Sequence, residues 1–304
     1  MAKRNSLKLG DRDIEMLSAL DRCVLTAEQM AMLSESFVRP FSHVGFARRR
    51  LRQLAHAGYV RAFSYALASN GRSPNYFRLT RTGWQTLHGV NVELPRRRQF
   101  EAIADAHHHH TLALSDVIVH LAVTAHRAGV ELREFWRENS LQIASGDLTL
   151  RPDCAFQLRR DDRRPFHFVV ELDCSTERLR TPRNVESIQR KIRGYDRHQG
   201  AFDALDPQRY LVLFITTRSR DRLDHILELA ADVMANPERA VFIGATLSDF
   251  LGSDPFHDAV LRDHRGLKRM IIPADQNAAT SQVVDGVASA LRRERAASQT
   301  AART

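Results

Sequence analysis

The sequence predicts an α+β protein in two parts. Residues 1–95 read as a small three-helix unit closed by a β-hairpin, residues 96–280 as an α/β sandwich, and residues 281–304 as a C-terminal helix with a disordered tail. Three observations predict this. Capped segments with three-four apolar spacing fill the chain up to Gly58, and two short strand-like runs follow them. Strand and helix patterns alternate from Val130 onward. The basic charge is confined to one stretch. From Arg39 to Arg98 there are twelve arginines and one acid, Glu93, a surplus of +11 in a chain whose net charge is +9.

At 304 residues with 43% hydrophobic content, the chain is long enough for two cores. No apolar run approaches the roughly 18 residues of a membrane span. The basic, polar stretch Met1 to Gly10 lacks the apolar segment of a signal peptide, so a cytoplasmic location without membrane attachment is expected. Cys23, Cys154 and Cys174 are odd in number and have no metal-ligand spacing, which reads as reduced thiols.

Ile14, Leu17 and Leu20 give Asp11 to Leu20 a helical rhythm. Thr26-Ala-Glu-Gln29 is a capping box opening a short helix to Leu33. Ser42 is the candidate cap of a third helix, with Val44, Ala47, Leu51 and Leu54 on its apolar face and Gly58 at its end. The opposite face carries His43, Arg48, Arg49, Arg50 and Arg52. Tyr59 to Leu67 and Asn75 to Leu79 are strands about the turn Ser69-Asn70-Gly71-Arg72, and Thr80 caps a helix through Leu87.

Three helices and a hairpin in this order make a winged helix-turn-helix. The third helix is then the natural reader of a major groove, and Arg72 at the wing tip can reach phosphate. The expected partner is double-stranded DNA, bound by His43, Arg48, Arg49, Arg50, Arg52 and Arg72, with residues 1–95 alone sufficient for most of the binding. The bland alternative is a solvated basic face, but ordinary surfaces intersperse the signs.

Pro95-Arg-Arg-Arg98 reads as a linker, and Gln99 to Arg127 as one long or broken helix ended by Gly129. His107 to His110 resembles a metal tract, yet four consecutive helical residues point in four directions. His110 is expected to pack inward and the others to face solvent. Asp116 and His120, four apart, are either an ordinary helix pair or a means of aiming Asp116 at the acids below.

Val130 to Glu138 reads as an edge strand. Arg151 to Leu158 and Phe166 to Asp173 are strands joined by a polar turn. On the second strand Phe168, Val170 and Leu172 share one face, and Val169, Glu171 and Asp173 the other. If the two strands pair as a hairpin, Asp153 lies beside the end of the second and three acids converge. Such acids call for a cation, and a hard divalent ion is the usual one. The alternative is that Glu171 and Asp173 end a strand at the surface or pair with nearby arginines. Downstream come a helix from Arg183 to Gln199 with Val185, Ile188, Ile192 and Tyr195 buried, a strand Arg209 to Thr216, a helix Arg220 to Ala235, and a strand Ala240 to Thr246. A further strand from Lys268 to Ile272 and a helix from Ser281 to Arg293 complete the pattern.

These features together resemble a known fold. A strand with Pro152-Asp153, a strand with Glu171-Leu-Asp173 and a helix with Lys191 and Tyr195 resemble the PD-(D/E)XK, restriction-endonuclease-like sandwich. With the winged helix ahead of them and Ser175-Thr176-Glu177 after the Val-Glu-Leu-Asp strand, they look like the replication-relaxation family, associated with plasmids and other mobile elements. The resemblance implies Asp153, Glu171, Asp173 and Lys191 as catalytic residues and Asp153, Glu171 and Asp173 as ligands of Mg2+ or Mn2+, should the site be active. The sequence departs from the pattern at Asp173, where an active nuclease usually has lysine, and Lys191 is the substitute. Two functions stay open: a factor in replication, mobilisation or defence with metal-dependent DNA cleavage, or a non-enzymatic DNA-binding regulator with a degenerate nuclease fold.

Overall fold

The structure is a computed structural model and describes residues 7–67, 73–138, 140–161, 164–174, 179, 187–203 and 206–273. The expected wing tip with Arg72 and the C-terminal segment 281–304 lie outside the described residues.

The chain opens with α1 (Asp11–Arg22). Its first turn is fixed by Asp13, whose carboxylate accepts the Gly10 N–H at 2.8 Å. Met16, Leu17 and Leu20 are buried, but Ile14, expected to face inward, is 40% exposed. A two-residue strand, β1 (Leu25–Thr26), follows and was too short to show a period in the sequence. The expected capping box starts α2 (Ala27–Leu33): Thr26 Oγ1 accepts the Gln29 N–H at 3.1 Å and Gln29 Oε1 accepts the Thr26 N–H at 2.9 Å. The third helix, α3 (Val44–His56), is capped by His43 rather than Ser42, because the imidazole Nδ1 accepts the Gly45 N–H at 3.0 Å. Ala47, Leu51 and Leu54 are fully buried. Gly58 takes φ +85°, a left-handed value that ends the helix without strain.

Next come β2 (Val60–Ser64) and β3 (Asn75–Leu79), which with β1 make an antiparallel sheet in the order β1-β3-β2. Thr80 caps α4 (Arg81–His88) as expected. At Gly83 a Cβ would sit 2.1 Å from the Tyr59 carbonyl oxygen, so this helix can approach the strand only through glycine.

The helix expected from Gln99 begins only at His108. Residues 97–100 and 105–107 form 3-10 turns instead, and α5 runs over His108–Arg127. The reason lies at Ile103. Its N–H donates to the Tyr76 hydroxyl at 2.8 Å, and its carbonyl meets His108 Nε2 at 3.1 Å, so the segment is tied to the first unit's sheet. Leu114, Val117, Ile118 and Leu121 of α5 pack on the large sheet. Val119 and Ala122, from the same helix, complete the core of the first unit.

The large sheet contains β4 (Val130–Trp136), β7 (Cys154–Arg160), β8 (Phe166–Asp173), β9 (Tyr210–Thr216), β10 (Phe242–Thr246), β11 (Leu261–Asp263) and β12 (Lys268–Arg269), in the order β12-β11-β10-β9-β8-β7-β4. The three central strands, β8, β9 and β10, are parallel and the outer pairings antiparallel. One face, with Phe168, Val170 and Leu172, packs against α5. The other, with Val169, Val212 and Phe214, is covered by α6 (Ile188–Gly200) and α7 (Arg220–Val233). The α6 helix begins later than expected, at the Ser187 cap, and residues 180–186 lie outside the description. A small hairpin, β5 (Ile143–Ser145) with β6 (Leu148–Leu150), and the short α8 (Leu247–Leu251) were not foreseen, since three to five residues carry too little periodicity. Cys23, Cys154 and Cys174 are free thiols. Among the described residues no helix is long and apolar enough to cross a membrane.

Candidate functional site

The site lies where β8 ends. Cys154 pairs with Val170 and the Asp153 N–H donates to the Val170 carbonyl, so the antiparallel register sets Asp153 beside Glu171. Asp153 Oδ2 accepts the Leu172 N–H at 2.7 Å. Alternation along β8 turns Glu171 toward α6. There Lys191 and Tyr195, four residues apart, present one face of the helix. Lys191 Nζ lies 2.9 Å from Glu171 Oε2, and the Tyr195 hydroxyl donates to Glu171 Oε1. The structure thus brings Asp153, Glu171 and Lys191 into one corner.

It does not bring Asp173 into that corner as a third converging acid. The parallel register opposes Asp173 to Thr216 at the end of β9, and α7 starts four residues later. Arg222 in the first turn of α7 grips the carboxylate with two prongs, Nε to Oδ2 and Nη2 to Oδ1, each at 3.0 Å. The Thr216 hydroxyl adds a hydrogen bond to Oδ2 at 2.9 Å. For this residue the arginine-pairing alternative describes the geometry.

His110 adds a further basic group. In the first turn of α5, its Nε2 lies 3.1 Å from Asp153 Oδ1. His110 turns inward as expected, but a second histidine of the tract is buried more deeply. His108 is 2% exposed, with Nδ1 accepting the Ala66 N–H at 2.6 Å, while His107 and His109 face solvent. Asp116 does not point at the cluster, because Gln29 Nε2 donates to it at 2.7 Å. Nor does it pair with His120, whose Nε2 meets the Ser253 carbonyl at 2.8 Å.

Each of the three acids has a basic side chain beside it. Asp153, Glu171 and Asp173 face His110, Lys191 and Arg222. Burial pushes the Glu171 carboxyl up, to about 7, and outweighs the pull of the Lys191 ammonium; the neighbouring Asp153 charge adds to the rise. Burial pushes His110 down, but the Asp153 hydrogen bond and charge outweigh it and hold the imidazole above its ordinary value. Burial and the adjacent Glu171 keep the Tyr195 hydroxyl protonated.

A magnesium or manganese ion would require several converging oxygens. The Asp173 oxygens are held by a guanidinium and a hydroxyl, those of Glu171 by an ammonium and a phenol, and those of Asp153 by an imidazole and an amide. Among the described residues no group of three or more His, Cys, Asp or Glu side chains is disposed to hold a metal ion. The donor set in this arrangement does not fit the ion.

The basic face expected on α3 is divided. His43, Arg48, Arg49 and Arg52 are exposed. Arg48 pairs with Glu28 in an exposed contact, the kind worth little. Arg49 lies over the Phe46 ring at 5.3 Å, and among the described residues neither Arg49 nor Arg52 forms an ion pair. Arg50 is different: its Nε and Nη2 hold the buried Asp13 carboxylate at 2.6 and 2.5 Å, which ties α3 to α1. Its charge is spent inside the unit.

Fold and site together define an α+β protein in which a basic three-helix unit is joined to a mixed-sheet part with a buried acid–base cluster at the end of its central strands. This chain belongs to the replication-relaxation family, whose profile matches residues 19–205. The matched stretch begins in α1 and ends beyond α6, so it contains Asp153, Glu171, Asp173 and Lys191 but stops short of Arg222. No curated protein and no solved structure matches the chain.

Proposed function

We propose that this replication-relaxation protein binds double-stranded DNA through a winged-helix unit, with α3 in the major groove, and serves the replication or mobilisation of a plasmid or other mobile element. The observation that carries this is the two-sided character of α3. Its inner face, Ala47, Leu51 and Leu54, is fully buried, while its outer face offers His43, Arg49 and Arg52 in a stretch with a charge surplus of +11. A helix fixed from behind and cationic in front suits a groove lined by phosphates.

The test is a binding titration of the full chain with duplex DNA over a range of salt. Affinity should fall steeply as salt rises, because each phosphate contact releases counterion. Replacing Arg49 and Arg52 with alanine should weaken binding and flatten that slope. Binding indifferent to both salt and the double substitution would sink the reading.

The restriction-endonuclease-like half is read here as a scaffold in which protein cations occupy the place of a divalent ion. The two-pronged Arg222 contact on Asp173 favours this over metal-dependent cleavage. A plasmid-nicking assay with magnesium and with manganese separates the two.

A further inference from the structure

A cavity of about 460 Å3 lies between the end of α1, β3, α4, the linker and the first turns of α5. That volume is in the range of small-molecule sites. Half of its wall is apolar, with Leu20, Val24, Phe100, Leu114 and Ile118. The rest is polar and on balance cationic, with Arg22, Arg78, Arg98 and Arg137 against Asp21 and Glu138.

The two acids of the wall answer only part of this charge, and Glu138 acts on Arg78. Asp21 is engaged by Arg137 at 2.6 Å and by His88 at 3.1 Å. Arg22 is half-buried, and among the described residues its side chain makes no hydrogen bond or ion pair. Among the described residues the Arg78 guanidinium donates to a carbonyl, that of Glu101. Burial pushes both guanidiniums down from their ordinary values. Two further wall residues hold buried polar atoms with no partner: the Nε1 of Trp84, a residue 6% exposed, and the Oε1 of Gln99. Buried polar groups and charges are rarely left in this state, because desolvation without a partner is unfavourable. Ordered water could partner the atoms, but it would gain nothing from the apolar half of the wall.

We infer that this cavity binds a small amphipathic anion, an apolar ring or chain bearing a carboxylate, sulfonate or phosphate. Its charge is answered by Arg22 and Arg78, and its body lies against Leu114 and Ile118. The walls come from both parts of the chain, so the ligand sits at the seam between the α3 unit and the helix that carries His110.

The test uses the full chain and anilinonaphthalene sulfonate, a fluorescent probe of this chemistry. Trp136→Phe leaves Trp84 as the sole indole, since the chain has two tryptophans. Saturable binding with quenching of Trp84 emission, displaced by decanoate, is expected. Arg22→Gln should weaken it by roughly tenfold or more, as loss of one partner of a desolvated charge pair does. Ala104→Phe fills the cavity from an exposed linker position without adding an indole and should block it. Arg193→Gln on α6 should leave binding unchanged. No saturable binding, or binding that survives both cavity substitutions, overturns the proposal and leaves the space to water. Binding blocked by Ala104→Phe but indifferent to Arg22→Gln overturns the assignment of an anion.

Discussion

Arg222 holds both carboxylate oxygens of Asp173, and the pair is largely shielded from water, with side chains 17% and 3% exposed. Removing one partner of such a pair leaves a buried charge behind. Arg222→Ala should therefore destabilise the protein by about 3 kcal/mol, read as a fall in the denaturant midpoint. Asp173→Lys, which would restore the usual nuclease pattern, should destabilise it as well, because the new ammonium faces the Arg222 guanidinium. A stable, nicking-competent Asp173→Lys protein would contradict this account.

The arginines of α3 should separate into two kinds. Arg49→Ala should lower DNA affinity and reduce the salt slope by about one, with thermal stability unchanged. Arg50→Ala removes the partner of buried Asp13 and should lower stability by about 2 kcal/mol. Anisotropy titrations and thermal melts on the two variants check the division. Equal effects of both on stability would argue against it.

The contributions of Glu171 and His110 to stability should fall as pH rises from 5 to 8. In the folded protein Glu171 is raised from 4.5 to about 7, so its contribution is fully present below 4.5 and is lost as pH climbs through about 7. His110, held above its ordinary 6.5 by Asp153, contributes in the same sense: present below 6.5 and lost as pH passes its folded value. The lowered aspartates Asp13, Asp254 and Asp263 act below 3.8, while His120, His167 and His198, held below 6.5 by burial, act in the opposite sense up to 6.5, so the fall is read most cleanly above it. Glu171→Gln should flatten the slope in chemical denaturation at pH 5, 6, 7 and 8, and an unchanged slope would remove Glu171 as its source.

Divalent ions should add little. Calorimetry with manganese should give no heat above dilution for the wild type, and a supercoiled plasmid should stay intact in magnesium or manganese. Asp153→Ala and Glu171→Gln should then change neither result. Manganese binding that disappears with Asp153→Ala would restore the nuclease reading.

Much of this arrangement could be read from the residues. Alternation along Phe166 to Asp173 placed Glu171 on the polar-bearing face, and the hairpin brought Asp153 to it. Helical spacing put Lys191 and Tyr195 on one side of α6. What could not be read was the partner of Asp173. Arg222 lies 49 residues away in the chain, and its approach depends on β9 being parallel to β8 and in register at Thr216. The histidine tract misled at His108 for a related reason. Spacing tells which residues share a helix face, but the start of α5 was fixed by Ile103 binding the Tyr76 hydroxyl, which sets the phase of the whole helix.

Val119 and Ala122 of α5 close the core of the first unit, while Leu114, Val117 and Leu121 of the same helix close the core under the large sheet. One rigid rod is thus a structural wall of both parts. The first unit is therefore not a detachable cassette ending at residue 95. Cut there, it would expose the apolar patch that α5 covers, and binding would be lost to misfolding rather than to any missing contact. Recombination that exchanged the first unit between proteins would have to break the chain beyond Arg127, carrying the helix with its passenger.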